Sequence, residues 1–293
     1  MTHKFQGTGV ALVTPFFEDR SIDFPSLEKL INHVIEGGVN YLVALGTTAE
    51  TPTLSAKEKK EVLAFVIEKA AGRVPVVTGI GGNNTAEVLA QLKEYDLSQV
   101  AGILSVVPYY NKPTQEGLYQ HFKAIATATE KDIILYNVPG RTGSNMLPAT
   151  SLRIAREFKN IVAIKEASGN MSACMELYQG APAHFAVLSG DDDLVLPQIV
   201  LGMKGVISVA ANCFTRDFTN MVNAALNNDF VTARQLHYKL LQGIGLLFAE
   251  GNPGGIKAVL TELNICSNNL RLPLVPVSAS LHQKIEEYLK GYN

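Results

Sequence analysis

A single lysine interrupts an otherwise apolar, strand-like run at residues 161–168, Ile-Val-Ala-Ile-Lys-Glu-Ala-Ser. Side chains alternate faces along a strand, so Lys165 is expected to share one face with Ile161, Ala163 and Ala167. Desolvation among apolar groups disfavours the ammonium form of a lysine, and a free amine can attack a carbonyl to form a Schiff base. The alternative is that Lys165 ends the strand with its ammonium in water, and this segment alone leaves both interpretations open.

A second strand-like run, residues 133–139, places a phenol and a guanidinium near one strand end. Tyr136 lies close to the carboxyl end of the run, and Arg141 follows in the loop Gly140-Arg141-Thr142-Gly143. A tyrosine hydroxyl can transfer protons, and an arginine can hold a carboxylate through two parallel hydrogen bonds. Taken singly, Tyr136 could be a core aromatic residue and Arg141 a surface residue without a role.

Hydroxyl groups follow two further strand-like runs. Thr47 and Thr48 come after the run that begins at Tyr41, and Tyr109 and Tyr110 come after the run that begins at Gly102. A threonine pair in this position is commonly a turn or cap, and adjacent tyrosines can be packing residues at an interface. A catalytic role for these hydroxyl groups is favoured only if the fold brings them together with Lys165 at one edge of the sheet.

The chain alternates strand-like and helix-like segments, and this alternation predicts a fold in which the carboxyl ends of all strands meet at one rim. Helical periodicity appears at residues 25–36, 55–71, 85–97 and 115–128. Eight repeats of strand and helix predict a (β/α)8 TIM barrel, in which function gathers at the carboxyl ends of the strands. The apolar runs begin near Thr8, Tyr41, Val74, Gly102, Asp132, Ile161, Phe185 and Gly205.

The alternation stops after Asn212, and only helical segments follow, at residues 215–226, 229–248, 254–263 and 280–289. No flexible linker precedes them. The sequence therefore predicts a catalytic barrel over residues 1–214 and a C-terminal helical appendage over residues 215–293.

Composition narrows the class of protein. The 293 residues are 47% hydrophobic, and the net charge of −2 with a pI near 6.3 gives no electrostatic reason to expect nucleic acid or an anionic membrane as partner. No apolar leader precedes the first strand, and no run of apolar residues is long enough to span a bilayer. Three widely spaced cysteines without a CxxC pair, Cys174, Cys213 and Cys266, indicate reduced thiols. A cytoplasmic protein is expected.

Motifs for metals and nucleotides are weak in this sequence. Asp191-Asp192-Asp193 is read as a helix start favoured by the helix dipole, and the six histidines show neither HxH nor HExxH spacing. Residues 79–82, Gly-Ile-Gly-Gly, lack the glycine spacing of a dinucleotide loop and are read as a turn. We therefore expect neither a metal nor a cofactor.

Four sequence blocks, taken in order, resemble the dihydrodipicolinate synthase family of pyruvate-dependent class I aldolases, which are (β/α)8 barrels. The resemblance covers nearly the whole chain. One position departs from the family pattern, because Ala49 stands where Gly-Thr-Thr-Gly-Glu has its second glycine. The blocks are Gly46-Thr47-Thr48-Ala49-Glu50, the run Pro108-Tyr109-Tyr110-Asn111-Lys112-Pro113-Thr114-Gln115-Glu116-Gly117, residues 136–143 and Ile164-Lys165-Glu166.

The resemblance implies a condensation of pyruvate with aspartate-β-semialdehyde in lysine biosynthesis. Lys165 would form an imine with pyruvate, and three hydroxyl groups would relay protons. Tyr136 would act at the imine carbon, Thr47 would orient it, and Tyr110 would reach in from a neighbouring subunit. The family's usual state, a homotetramer built as a dimer of dimers, is expected.

Family positions for substrate binding fall on Thr48 for the pyruvate carboxylate, and on the backbone carbonyls of Gly190 and Ile207 near the substrate. Arg141 would hold the carboxylate of aspartate-β-semialdehyde. Sugar-acid lyases of the same superfamily generally lack an arginine there, so Arg141 argues against an aldolase or lyase for a 2-keto-3-deoxy acid. A barrel that has lost activity and serves in binding or regulation is the third alternative, and the complete catalytic set argues against it.

The family's effector site for lysine is matched in part, by Asn83, Glu87 and Tyr109. Ala56 and Lys59 stand where histidines are usual in lysine-sensitive members. Lys59 brings a positive charge towards a ligand with two ammonium groups, so weak lysine inhibition or none is expected.

Overall fold

The structure is a computed structural model that describes residues 3–292. Within this range eight strands form a closed barrel in which each strand pairs with the next in parallel and the last pairs with the first. The predicted TIM barrel is confirmed. The strands are β1 Gly7–Ala11, β2 Tyr41–Ala44, β3 Val76–Gly79, β4 Gly102–Val106, β5 Ile133–Asn137, β6 Ile161–Glu166, β7 Ala186–Ser189 and β8 Gly205–Ser208.

Helices surround the barrel, and short 3-10 turns follow β2 and β8. The predicted helix over 115–128 has those bounds, whereas the one predicted over 85–97 ends earlier, at Glu94. The helices are α1 Phe24–Glu36, α2 Ala56–Ala70, α3 Thr85–Glu94, α4 Gln115–Ala128, α5 Pro139–Thr142, α6 Pro148–Glu157, α7 Met171–Gly180, α8 Val195–Val200, α9 Thr215–Leu226, α10 Phe230–Phe248, α11 Gly254–Glu262 and α12 Ala279–Tyr292.

Local sequence signals explain where several helices begin. Asp23 caps α1 by accepting a hydrogen bond from the Ser26 amide, with Pro25 in the first turn. Ser55 and Glu58 form a reciprocal capping box at the start of α2, as the sequence predicts. These caps satisfy amides that a helix leaves without intrahelical partners.

One layer of apolar side chains lies on each face of the barrel strands. The inner layer fills the barrel and includes Val43, Leu104, Ile134, Ala163 and Leu188, and the outer layer packs the strands against the helices. Near-continuous burial of both faces is typical of parallel strands covered by helices.

The prediction that Ile161 shares the face of Lys165 is wrong. Ile161 belongs to the outer layer, whereas Ala163 belongs to the inner one. The reason is a register irregularity between β5 and β6, where Ile133 pairs with Ile161 but the next residue, Ile134, pairs with Ala163. One residue is thus left over, which reverses the alternation at the start of β6.

Helices α9 to α12 follow the barrel and share the outer layer with it through residues such as Phe218, Leu240, Ile256 and Ile285. α9 packs against β1 next to the closing pair of strands. The division of the chain at residue 214 stays a prediction. None of the helices in residues 3–292 combines the length and the apolar character that a membrane crossing requires.

Candidate active site

Lys165 and Tyr136 lie side by side inside the barrel. They are register partners on the neighbouring strands β6 and β5, and each side chain is only 6% exposed. The Lys165 Nζ lies 4.3 Å from the centroid of the Tyr136 ring. The amine is therefore enclosed near the carboxyl end of its strand and has a phenol next to it, which is the arrangement that a Schiff-base lysine requires.

Gly190, which follows β7, packs directly against the Lys165 side chain. A Cβ atom built at Gly190 would lie 3.0 Å from Lys165 Cε and 2.4 Å from the Cβ of Ala167. The Gly190 amide also donates to the carbonyl of Glu166 at 2.7 Å. A side chain at position 190 would press on Ala167 and on the lysine stem, which explains the glycine. That the Gly190 carbonyl lies near the substrate stays a prediction. Ile207 is fully buried in the inner layer, on β8.

A cavity of about 320 Å³ opens at the carboxyl ends of β2 to β5. Thr47, Tyr136 and Arg141 line it, and the Tyr136 ring lies against the Lys165 amine. Pockets of this size are typical of small-molecule sites. The structure therefore brings three of the residues predicted for chemistry to one rim, as the barrel topology requires.

Thr47, Thr48 and Ala49 form a 3-10 turn after β2. The left-handed residues that flank this turn are Leu45 and Glu50, with φ of 56° and 53°, and Ala49 is not among the residues with positive φ. Replacing the family's glycine by alanine thus introduces no backbone strain at this point. The Ala49 carbonyl accepts a hydrogen bond from Thr14 Oγ1 at 2.8 Å, which holds the turn against the barrel.

Asn252 joins the predicted substrate-binding residues and was missed by the sequence analysis. Its Nδ2 donates to Thr48 Oγ1 at 3.0 Å, and its carbonyl accepts from Arg141 Nη2 at 3.4 Å. Asn252 is 6% exposed and lies in the loop before α11. The Asn-Pro-Gly-Gly sequence marks this loop as a turn, but nothing in it indicates which barrel loops the asparagine contacts.

A buried ion pair holds the turn after β2 from the other side. Lys257 Nζ on α11 lies 2.5 Å from Glu50 Oε1, and both side chains are fully buried. The second Glu50 oxygen accepts from the Arg271 amide, and Lys257 also donates to the Asn269 carbonyl. Burial lowers the pKa of Lys257, and the Glu50 carboxylate opposes that shift. The C-terminal helices therefore fix the loop that carries Thr47 and Thr48.

The reading of Asp191-Asp192-Asp193 as a helix start is wrong. Helix α8 begins after Leu194, which makes no side-chain cap. Instead, Asp191 accepts a hydrogen bond from the Gly169 amide, and Asp192 accepts from the amides of residues 209 and 210. The acidic run therefore joins the loops after β6, β7 and β8, because these loops offer free amides at the rim.

Burial changes the acidity of the carboxyl groups behind Lys165. It raises the pKa of Asp192 to about 6 and also raises the pKa of Asp191, an effect that the charge of Lys165 opposes. Glu166 has a raised pKa for the same reason, although hydrogen bonds from Ser168 and Asn137 oppose the shift.

Tyr110 does not enter the cavity of its own chain. It is 88% exposed and has a left-handed backbone with φ of 70°. Tyr109 is 41% exposed and lines the cavity, and the Asn83 side chain donates to the Tyr109 carbonyl. Asn83 and Tyr109 therefore lie together, after β3 and β4, and Glu87 lies in the first turn of α3.

Within residues 3–292, one set of three potential metal ligands lies together, and it is outside the cavity. Glu262, His282 and Glu286 form it on α11 and α12 at the surface. Their side chains pair with one another, so an ion is not needed to explain the cluster.

A (β/α)8 barrel with a buried lysine and a tyrosine inside its carboxyl-end rim has the architecture of a class I aldolase. Comparison with known proteins identifies the family within this class. The profile of the Dihydrodipicolinate synthetase family matches residues 4–292. The chain belongs to this family.

The relatives match this chain over nearly its whole length. A 4-hydroxy-tetrahydrodipicolinate synthase of Parabacteroides distasonis is 51% identical over 287 residues, which are 98% of this chain and 97% of that protein. The crystal structure of dihydrodipicolinate synthase from Aquifex aeolicus matches with a TM-score of 0.96 and 43% identity, covering 99% of this chain and 98% of the other. That of the Cyanidioschyzon merolae enzyme with lysine bound matches with a TM-score of 0.96 and 36% identity, covering 99% of each chain.

Proposed function

We propose that this protein is a 4-hydroxy-tetrahydrodipicolinate synthase, which condenses pyruvate with aspartate-β-semialdehyde on the path to diaminopimelate and lysine. The observation that carries the proposal is the buried Lys165 amine beside Tyr136 at the rim of the cavity. The family and the names of the relatives support the same activity.

Lys165 is proposed to attack the ketone carbon of pyruvate and to lose water, which gives a protonated imine. This imine draws electrons from the methyl group, so a proton leaves and an enamine forms. The enamine carbon then bonds to the aldehyde carbon of aspartate-β-semialdehyde, and the aldehyde oxygen takes up a proton. Attack by the amino group of the second substrate closes the ring and releases the Lys165 amine.

Proton transfer in these steps is assigned to hydroxyl groups. Tyr136 is the donor and acceptor assigned to the amine, which lies over its ring, and Thr47 lines the same cavity. Tyr110 completes the relay by reaching across from a second subunit, and its exposed position on its own chain supports this assignment.

Arg141 is assigned to the carboxylate of aspartate-β-semialdehyde. Its guanidinium lines the cavity and is held towards the Asn252 carbonyl, while Asn252 also binds Thr48. One asparagine thus links the residue proposed for the pyruvate carboxylate to the residue proposed for the second carboxylate. A carboxylate on each substrate fits this pairing of polar groups.

An assay with both substrates, coupled to reduction of the product, tests the proposal together with an Arg141→Ala variant. Loss of a charge-assisted hydrogen bond costs about 1.5–3 kcal/mol, so kcat/KM for aspartate-β-semialdehyde should fall about tenfold to a hundredfold. Imine formation with pyruvate should continue in the variant, because Arg141 is not assigned to pyruvate.

Arg234→Ala is the matched control, since Arg234 is an exposed arginine on α10. Among the described residues its guanidinium binds only a carbonyl of its own helix. It should behave like the parent. Equal use of aspartate-β-semialdehyde by Arg141→Ala and the parent would count against this substrate, and cleavage of a 2-keto-3-deoxy acid would then be the next activity to measure.

The protein is also proposed to work in the cytoplasm as a homotetramer. Its three cysteines are buried and unpaired, which suits a reducing compartment. Exposed Tyr109 and Tyr110 support an interface next to the active site.

A further inference from the structure

Asn137 and Glu166 form a buried polar pair next to the reactive residues. They are register partners on β5 and β6, one position beyond Tyr136 and Lys165, and each is only 1% exposed. Because side chains alternate along a strand, Asn137 and Glu166 point away from the barrel interior. The chemistry described above assigns no role to either of them.

The side chain of Asn137 is bonded on all sides. Its Nδ2 donates to Glu166 Oε2 at 3.0 Å and to Asn145 Oδ1 at 2.9 Å. Its Oδ1 accepts from the Met146 amide at 3.0 Å. Asn137 therefore ties the far end of the loop after β5 both to β6 and to the strand on which the loop begins. We call the four residues Asn137, Glu166, Asn145 and Met146 the Asn137 clamp.

The loop that the clamp closes carries Arg141. It covers residues 138–146 and contains the one-turn helix α5. Thr142 holds the loop from within, since its Oγ1 donates to the Ser144 carbonyl at 2.8 Å and accepts from the Ser144 amide at 3.2 Å. Internal bonds of this kind fix the shape of the loop, whereas its orientation on the barrel depends on how its ends are attached.

Arg141 depends on that orientation. It is exposed, and in the part of the chain that the structure describes its guanidinium has one hydrogen bond, to the Asn252 carbonyl at 3.4 Å. A bond longer than the usual range holds the side chain weakly, so the guanidinium follows its backbone. Gln115 of α4 bonds the loop from outside the barrel, and the clamp attaches the loop to the strand of Lys165.

We infer that Asn137 and Glu166 are positioning residues, which set Arg141 at the distance from Lys165 that aspartate-β-semialdehyde requires. The inference rests on the proposed function, in which Arg141 holds the carboxylate of this substrate while its aldehyde meets the enamine on Lys165. A small displacement of the loop separates these two points and slows the reaction.

Imine formation with pyruvate does not depend on the clamp. The backbone pairing of β5 with β6 holds Tyr136 and Lys165 side by side, and the Ala167 amide donates to the Asn137 carbonyl at 2.9 Å. Replacing the Asn137 side chain leaves these backbone bonds in place. The clamp therefore acts on the second substrate alone.

A double-mutant cycle of Asn137→Ala and Arg141→Ala tests this inference. The parent, both single variants and the double variant are assayed with both substrates, and the trapping of pyruvate on Lys165 by borohydride is timed separately. Asn160→Ala is the matched control. Asn160 is a half-buried asparagine just before β6 whose side chain donates to the carbonyls of Ala126 and Thr129, so it ties loops at the opposite end of the barrel.

Asn137→Ala should lower kcat/KM for aspartate-β-semialdehyde about tenfold when Arg141 is present. In the Arg141→Ala background the further loss should be less than about twofold, because no guanidinium is left to misplace. Trapping of pyruvate should proceed at the parental rate. Asn160→Ala also removes internal hydrogen bonds, but it should leave both rates at the parental level.

An equal loss from Asn137→Ala in both backgrounds would overturn the inference, and so would slower trapping of pyruvate or a parental kcat/KM. If Asn137→Ala does not fold, Asn145→Ala takes its place in the cycle, since Asn145 is exposed and its side chain contributes one bond to the clamp. It should show a smaller loss that disappears when Arg141 is replaced, and a loss that persists would overturn the inference.

The same assay separates this inference from the proposed function. A parent that forms no product from the two substrates would refute the proposed function and the inference with it. An active parent in which the losses from Asn137→Ala and Arg141→Ala are independent would refute the inference alone.

Discussion

Lys165 is positioned by its neighbours on three strands. Tyr136 lies over the amine on β5, Ala163 precedes it on β6, and Gly190 follows β7 against its Cε. The lysine therefore has little freedom to leave the barrel for water. Restricted freedom of this kind holds a nucleophile near its reacting partner, and small displacements are costly to the rate.

Gly190→Ala tests this positioning. The added methyl group would lie 2.4 Å from the Cβ of Ala167 and 3.0 Å from Lys165 Cε, so Ala167 and the lysine stem must both shift. Reaction of Lys165 with pyruvate, followed by borohydride reduction and mass spectrometry, should slow about tenfold to a hundredfold. In Gly245→Ala, the control, the new Cβ has no atom within 4 Å, and the rate should be unchanged. A parental rate in folded Gly190→Ala would show that this contact is dispensable.

Sequence reasoning singled out the residues whose signal is local. A lysine inside an apolar strand and an arginine in a Gly/Pro loop are visible in short segments. Asn252 could not be found in this way, because its role depends on contacts with Thr48 and Arg141, which are more than 100 positions away along the chain. The role of Asp192 was misjudged for the same reason, since its partners lie after β8.

A strand or a helix could be predicted from the sequence where a single local pattern determines its position. Strand positions followed from apolar runs, and α2 from the capping box at Ser55 and Glu58. The irregular pairing of β5 with β6 could not be predicted, because register is set by the barrel as a whole and both faces of the strands are apolar.

Glu50→Gln tests the contact between α11 and the turn after β2. The variant leaves the Lys257 ammonium buried without its carboxylate, which should lower the free energy of unfolding by about 3–5 kcal/mol. Urea denaturation measures the change. Glu61→Gln is the control, because Glu61 pairs with Lys57 on the surface of α2, and it should change stability by about 0.5 kcal/mol or less.

Replacing the partner as well separates the two contributions. Glu50→Gln with Lys257→Met removes the unpaired charge and should recover part of the lost stability. If Glu50→Gln unfolds at the same urea concentration as Glu61→Gln, the buried pair does not hold this loop.

At the scale of the molecule, the barrel and the C-terminal helices act together. α11 supplies Lys257, the loop before it supplies Asn252, and both contact the rim. Eight strand-helix repeats and the later run of helices were visible in the sequence, and the predicted fold is confirmed. The contacts between the two regions were not visible, because side-chain pairing across the fold leaves no periodic pattern in the sequence.

Assembly is the next prediction at this scale. Tyr110 is 88% exposed on its own chain, so its proposed place in the proton relay requires a second subunit. Ultracentrifugation should show a tetramer, and Tyr110→Phe should lower kcat while leaving the sedimentation coefficient unchanged, because only a hydroxyl is lost. A fully active monomer would contradict the shared site.

The central claim is that Lys165 forms the imine with pyruvate, and borohydride reduction tests it most directly. Reduction of the protein in the presence of pyruvate should fix the pyruvate carbon skeleton to Lys165, and mass spectrometry of the digested protein should locate the added mass on the peptide that contains Lys165. Addition of a chelator should not change the yield. An unmodified Lys165, or a modification on Lys204 or Lys257 in its place, would contradict the account.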